Sequence, residues 1–165
     1  KFMLIYLKNK DTLICDDFKF KCSIGTNGIA KNKIEGDKCT PKGIFKFGNL
    51  YYRKDRNPRP ETKSKIRIIK KNMGWCDDPQ SRYYNKEISI GMTIKHEILY
   101  KKSFIYDYFL VIEFNTKKRI PFKGSAIFVH LTKNYKPTAG CIGLKKKDFL
   151  ILLKLINKKT RIKIS

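Results

Sequence analysis

The sequence has no Cys-x-x-Cys pair, and its two histidines, His96 and His130, are too few to complete a structural zinc site around five scattered cysteines. No resident metal and no cofactor is therefore expected. Long apolar runs are missing as well: the longest, 2–7 and 149–153, fall far short of the roughly 20 residues a membrane-crossing helix requires. There is neither an internal repeat nor a low-complexity segment. Acidic residues are scarce, 14 against 38 lysines and arginines, for a formal charge of +24. Such a balance raises the question of nucleic acid, but the cations are spread from Lys1 to Lys163 in ones and twos. Lysine dominates over arginine, whereas base readout favours bidentate arginine. Nucleic acid is disfavoured as a partner, and a general attraction to anionic cell-envelope polymers fits better.

What is present suffices for one domain, 1–165: a chain of this length, 41% apolar, buries a real core without cross-links. Five cysteines is an odd number, so at least one thiol stays unpaired. Cys15 and Cys22 fall on neighbouring predicted strands and could pair in an oxidising compartment, although buried free thiols are the favoured reading. The opening 1–7 has a charged start and an apolar body, but it soon meets Lys8 and Lys10 and lacks a small-residue cleavage site. It reads as a strand. Periplasm or cell envelope follows if a secretory signal was removed ahead of it, and cytoplasm if there was none.

Strands are predicted at 2–7, 12–15 and 18–24, then at 44–50, 65–70, 88–94, 108–115 and 125–131, with 161–164 closing the chain. The runs at 108–115 and 125–131 are apolar enough to be central. Two long irregular stretches are expected, 25–43 with its glycines and Pro41, and 73–85 with the only tryptophan. One helix is credible, 147–157, with Phe149, Leu150, Leu152, Leu153 and Ile156 on a broad apolar face and Asp148 near its positive end.

The chemistry-bearing stretch runs from Ser125 to Leu144. His130 ends an apolar strand, and Cys141 follows a Pro-Thr-Ala-Gly turn eleven residues later. That interval lets the chain leave one strand and return beside it, so that thiol and imidazole face each other as nucleophile and base, with the thiol mostly ionised if an imidazolium lies within reach. Gly140 lets backbone amides turn inward towards a developing oxyanion. Thr138, in the same turn, is a candidate substrate contact. In the 73–85 stretch, Trp75, Asp77, Asp78 and Tyr84 are candidates for lining a substrate groove, a carboxylate meeting a ligand ammonium. The competing reading makes Asp77-Asp78-Pro79 an ordinary turn and Trp75 a cap on the core. Asn85 would hold the loop by bonding to backbone. Cys39 and Cys76 read as buried thiols, and His96 as an exposed edge residue.

At these residues the sequence resembles the L,D-transpeptidase (YkuD-like) catalytic domain, whose hallmark is a histidine, a short loop and a Ser/Thr-x-Gly-Cys turn, here His130 and Thr138-Ala139-Gly140-Cys141. A second hallmark, Thr-Pro-x-Gly-x-Phe, stands at Thr40-Pro41-Lys42-Gly43-Ile44-Phe45. The resemblance extends more loosely over 24–153. It is strongest to a compact, divergent branch carrying Gly74-Trp75-Cys76-Asp77-Asp78-Pro79 and Tyr84-Asn85. The chain departs from better-studied members in having Ala139 where histidine is frequent, Gly143 where arginine or asparagine stands, and a shorter His-to-Cys interval.

The resemblance implies a mainly β fold, a curved mixed sheet or sandwich with one α-helix packed near the C-terminus. It implies that Cys141 attacks the carbonyl of the third residue of a peptidoglycan stem tetrapeptide, His130 taking the thiol proton, and that the terminal D-alanine leaves a thioester. An amine acceptor would then give a 3→3 cross-link or an attached protein, and water an L,D-carboxypeptidase. Hydrolysis of an existing amide cross-link is a third variant. Peptidoglycan stem peptides are the implied partner, cell-wall biogenesis and bacterial cell shape the implied setting, and a monomer is expected. The rival functions are a basic cell-wall-binding module without catalysis and a nucleic-acid-binding domain.

Overall fold

The structure, a computed structural model, describes residues 2–91 and 93–165. The chain begins as an antiparallel meander of β1 (Leu4–Lys8), β2 (Thr12–Cys15) and β3 (Phe18–Ser23). Left-handed backbone at Asn9, Lys10 and Asp16 makes both tight turns, where short polar side chains tolerate positive φ best. Two short strands, β4 (Ile29–Ala30) and β5 (Thr40–Pro41), pair in parallel inside the expected 25–43 loop. They are followed by β6 (Gly43–Tyr52) and β7 (Ile66–Ile68).

A separate antiparallel sheet contains β8 (Met73–Cys76), β9 (Lys86–Ser89) and β10 (His96–Ile98), with β8 in the middle. After one 3-10 turn at Phe104–Tyr106 come β11 (Tyr108–Ile112), β12 (Phe128–Leu131), β13 (Ile142–Leu144), α1 (Lys146–Leu155) and β14 (Arg161–Ile164).

The large sheet is mixed, in the order β11-β12-β13-β3-β2-β1-β14-β6-β7, with β12–β13 and β1–β14 parallel. It curls back on itself through β6, whose first half pairs with β14 and whose second half pairs with β11. Gly48 lies where the partners change. A Cβ there would fall 2.1 Å from Glu113 Oε1, so only glycine lets that neighbouring side chain lie across the strand.

Two cores follow from the alternation of side chains along β11. Tyr108, Leu110 and Ile112 face inward with Ile5, Leu13, Val129 and Ile142, where α1 contributes Phe149, Leu152 and Leu153. Phe109 and Val111 face the other way, into a second core with Phe128, Trp75, Met73 and Leu99 beneath the three-stranded sheet. Each such side chain taken fully out of water contributes about 1.5–3 kcal/mol. Burial on both faces explains why 108–112 reads as one continuous apolar run.

Expected and observed elements differ in several places, beginning with β4, β5, β10 and β13, which were not among the predicted strands. The irregular stretch at 73–85 begins as strand β8, whose four residues are all buried and therefore show no polar alternation. The predicted strand 88–94 is shifted to Lys86–Ser89, with Met92 outside the described residues. The strand expected from Ser125 starts only at Phe128, because Ala126 takes a left-handed conformation (φ 54°). The helix sits where its apolar face placed it, Lys146–Leu155, with Asp148 in its first turn.

Candidate active site

Parallel pairing of β12 with β13 sets His130 opposite Gly143 and Val129 opposite Ile142. Val129, Leu131, Ile142 and Leu144 alternate into the inner core. Phe128 and His130 therefore project from the opposite face, the same face as Cys141 at the mouth of β13. His130 is buried, with its ring 5.6 Å from that of Tyr106. Its Nδ1 lies 2.8 Å from the Leu131 carbonyl oxygen. Only an N–H can satisfy that carbonyl, so the neutral ring carries its proton on Nδ1 and leaves Nε2 as a base.

The turn that delivers Cys141 is fastened at several points. Thr138 pairs with the end of β3 through reciprocal backbone bonds to Ile24 and Thr26. The Thr138 hydroxyl donates to the Cys141 carbonyl and accepts from the Gly140 amide at 3.1 Å. Gly140 has φ +145°, and a Cβ on it would come within 2.8 Å of the Cys39 carbonyl oxygen. Its own carbonyl accepts from Thr40 Oγ1 at 2.8 Å, and the Gly25 amide donates to that same oxygen at 2.9 Å. The Thr40-Pro41 motif is thus the clamp on the Gly140 peptide.

The Cys141 thiol donates to the Ala126 carbonyl at 3.1 Å, and the Phe128 amide donates to the sulfur at 3.3 Å. Burial pushes the thiol up to about 12, and the Glu97 carboxylate acts in the same direction. Burial holds the His130 imidazole below its ordinary value of 6.5; the Lys101 cation adds to this, while the Leu131 bond opposes it. Burial thus favours the neutral form of both groups.

Cys141 and His130 open onto one cavity of about 440 Å³, also lined by Thr138, Gly140, Asp77, Glu35, Glu97, Lys33, Lys38 and Lys136. Its charges are mixed. Lys33 is bound to Asp37 at 2.6 Å, and Glu97 accepts from the Tyr106 hydroxyl and pairs with Lys101 at 3.6 Å. Asp77 Oδ1 is buried without a hydrogen-bond partner among the described residues, and burial raises the carboxyl above its ordinary range. Among the described residues no three or more His, Cys, Asp or Glu side chains gather as a metal site, and all five cysteines are free.

The family model for the L,D-transpeptidase catalytic domain, YkuD, matches residues 1–164. The chain belongs to the YkuD family. No curated protein matches it by sequence. Among solved structures, the helical cell shape determining protein Pgp2 from Campylobacter jejuni is similar in fold, with a TM-score of 0.53 at 15% identity over 99% of this chain. A point variant of Pgp2 gives 0.51 at 16% identity, also over 99% of this chain and 47% of that one. An L,D-transpeptidase from Mycobacterium smegmatis gives 0.46 at 11% identity, covering 99% of this chain and 58% of the other. The chain spans about half the length of Pgp2, 47%.

In this YkuD domain the structure brings Cys141, His130, Gly140, Thr138 and Asp77 together at one cavity. It does not bring Trp75, Asp78 or Tyr84 there. Trp75 is 6% exposed and lies edge-on to Phe128 at 5.1 Å in the second core, because β8 is a buried strand. Asp78 makes a local turn, accepting from the Gln80 amide. Tyr84 is buried behind the wall, where its hydroxyl donates to Glu35 and accepts from the Gly124 amide. Of the backbone amides that Gly140 was expected to let turn inward, its own is already taken by Thr138. His96 is half-buried rather than exposed. Glu35, Glu97, Lys33, Lys38 and Lys136 went unnoticed in the sequence because they are distant charged residues in a lysine-rich chain, and nothing in their spacing sets them apart.

Proposed function

We propose that this YkuD domain is a cysteine acyl-transferase acting on peptidoglycan stem peptides, with Cys141 as nucleophile and His130 as its base. The observation that carries the reading is the commitment of His130 Nδ1 to the Leu131 carbonyl, which leaves Nε2 as the basic nitrogen in the cavity shared with the Cys141 sulfur. Since burial favours the neutral form of both thiol and imidazole, the thiolate forms at the moment of attack. His130 Nε2 takes the S–H proton as the sulfur adds to the substrate carbonyl carbon. The imidazolium then protonates the leaving amine nitrogen, the C–N bond breaks, and a Cys141 thioester remains. An acceptor amine or water attacks the thioester and gives its proton to His130. The C–S bond breaks and the sulfur recovers a proton. With the Gly140 amide occupied, we assign the oxyanion to the Cys141 backbone N–H.

Stem peptides carry carboxylates and ammonium groups, and the mixed lining suits both. Lys38 and Lys136 offer cations to a terminal carboxylate, a role that Gly143 cannot take. Asp77, with its unpartnered oxygen, offers an anion to a diamino acid side chain. On this reading the domain, 1–165, works in the cell envelope as part of wall biogenesis.

The experiment is mass spectrometry of tetrapeptide muropeptides incubated with wild type and Cys141→Ala. Cys141-dependent cross-linked dimers are the expected product of transpeptidation, and tripeptide alone that of carboxypeptidation. Equal product with and without Cys141, or none across pH and acceptors, overturns the acyl-transferase and favours a wall-binding module.

A further inference from the structure

Asn85 is 2% exposed and has a left-handed backbone, φ +57°, which asparagine tolerates better than most residues. Its side chain makes four hydrogen bonds, the full complement of an amide. Nδ2 donates to the carbonyls of Phe114 at 3.0 Å and Asn115 at 2.7 Å. Oδ1 accepts from Trp75 Nε1 at 2.9 Å and from the Ala126 amide at 3.0 Å. The main chain is pinned as well, its amide donating to the Cys76 carbonyl at 2.8 Å. Neither Asn85 nor Trp75 lines the Cys141 cavity.

Ala126 is the link between this hub and the sulfur. Its φ of 54° is unfavourable for a residue with a Cβ, so something must hold it there. One peptide away, the Ala126 carbonyl is the acceptor of the Cys141 S–H. Flipping Ala126 into the ordinary β or right-handed region would turn that carbonyl off the sulfur and move the start of β12, whose Phe128 amide is the other partner of the thiol.

We propose that Asn85 is a positioning residue for the Cys141 thiol, acting through Ala126, with Trp75 fixing the amide that does so. Trp75 and Asn85, from the Gly-Trp-Cys-Asp-Asp-Pro and Tyr-Asn elements, then serve the site from behind rather than by touching substrate, while Asp77 of the first element faces the cavity. The inference rests on Cys141 being the reactive group, but not on which acceptor or substrate it uses.

The test is the pH dependence of Cys141 alkylation by iodoacetamide, read by peptide mass spectrometry, alongside steady-state turnover. Asn85→Gly keeps the left-handed backbone available and deletes the side-chain bonds. Near-UV circular dichroism normalises each variant to its folded fraction. In Asn85→Gly the alkylation midpoint moves away from the wild-type value, because the thiol loses its Ala126 acceptor and the Phe128 donor to the sulfur shifts with the start of β12, and kcat falls about tenfold or more with KM held within about twofold. Adding Ala126→Gly to Asn85→Gly restores part of both, since glycine adopts the required φ unaided. Trp75→Phe, which removes the donor that fixes the Asn85 amide and leaves the Ala126 bond, moves the midpoint in the same direction but by less. An unchanged midpoint in folded Asn85→Gly, or no recovery on adding Ala126→Gly, overturns the proposal. If Asn85→Gly does not fold, Ala126→Pro, which removes the amide that Asn85 holds and locks φ in the ordinary negative range, forces the flip directly and must move the midpoint in the same direction, and a wild-type midpoint there overturns it equally. Alkylation needs no substrate, so a failed muropeptide assay leaves this result independently readable.

Discussion

Thr40 Oγ1 reaches across 100 residues of sequence to donate to the carbonyl of Gly140 at 2.8 Å, and both groups are buried. One hydroxyl therefore joins the two motifs that make the chain recognisable from its sequence, accepting the Gly25 amide while it holds the peptide before Cys141.

Thr40→Val keeps the shape and removes the hydroxyl, leaving a buried carbonyl and a buried amide unpaired. A loss of about 1–3 kcal/mol in urea denaturation is expected. Turnover per folded molecule should drop further, because the Gly140 peptide is freed. Wild-type stability would show that water replaces the hydroxyl.

Gly143 leaves no space for a side chain: a Cβ there would sit 2.4 Å from Ser23 Oγ and 3.2 Å from Thr132 Cβ. Gly143→Ala should cost about 1–3 kcal/mol by overpacking. Ser23 Oγ is buried without a hydrogen-bond partner among the described residues, so Ser23→Ala should be nearly neutral alone. In the double variant thermal unfolding should recover part of the loss, a coupling of about 0.5–3 kcal/mol. Strict additivity would place the clash elsewhere.

The acid limb of kcat/KM should report His130. Its pKa is lowered by burial and by Lys101, so the neutral, proton-accepting form persists to pH values below the ordinary 6.5, and activity is lost only as pH falls through the depressed value. Stability carries the same sign: the unfolded histidine binds its proton first, so the fold loses stability as pH drops from about 6.5 downwards. Lys101→Ala should move the limb towards higher pH. A limb already above 6.5 in wild type would contradict the buried neutral imidazole.

At the alkaline end, burial raises Cys15 to about 11, with Asp16 adding, and Cys22 to about 12, with Asp11 adding, while Cys141 also stands at about 12. Unfolded thiols ionise near their ordinary value of 9.0, and the folded ones keep their protons until higher pH. Their contribution is therefore present below about 9 and is lost as pH climbs from 9.0 towards 12. Tm measured across this window should fall more steeply in wild type than in Cys22→Ala. Equal slopes would mean that Cys22 ionises as easily folded as unfolded.

Much of the fold was legible because its signals are local. The β1–β3 meander shows strand-length apolar runs between polar turns, and α1 shows a broad apolar stripe. β8 was not legible, since four buried residues with Gly74, Trp75 and Cys76 alternate nothing; only pairing with β9 and β10 makes them a strand. At the site, His130, Gly140 and Cys141 stand out by order and spacing. Trp75 and Tyr84 were drawn towards a groove by their neighbours, yet burial and their bonds to Asn85 and Glu35 put them behind its wall.

By itself the sequence determined the mainly β class, the C-terminal helix and the family, and it singled out Cys141 and His130 as candidates, all of which depend on short-range periodicity or on motifs read in order. Tertiary structure alone decided which distant charges, Glu35, Glu97 and Lys136 among them, share the cavity with Cys141. It also decided that burial disfavours the charged forms of thiol and imidazole, and that Thr40 bonds the Gly140 carbonyl and Asn85 the Ala126 amide. Burial and long-range hydrogen bonding set these properties, and both come into being only when strands far apart in the chain are packed together.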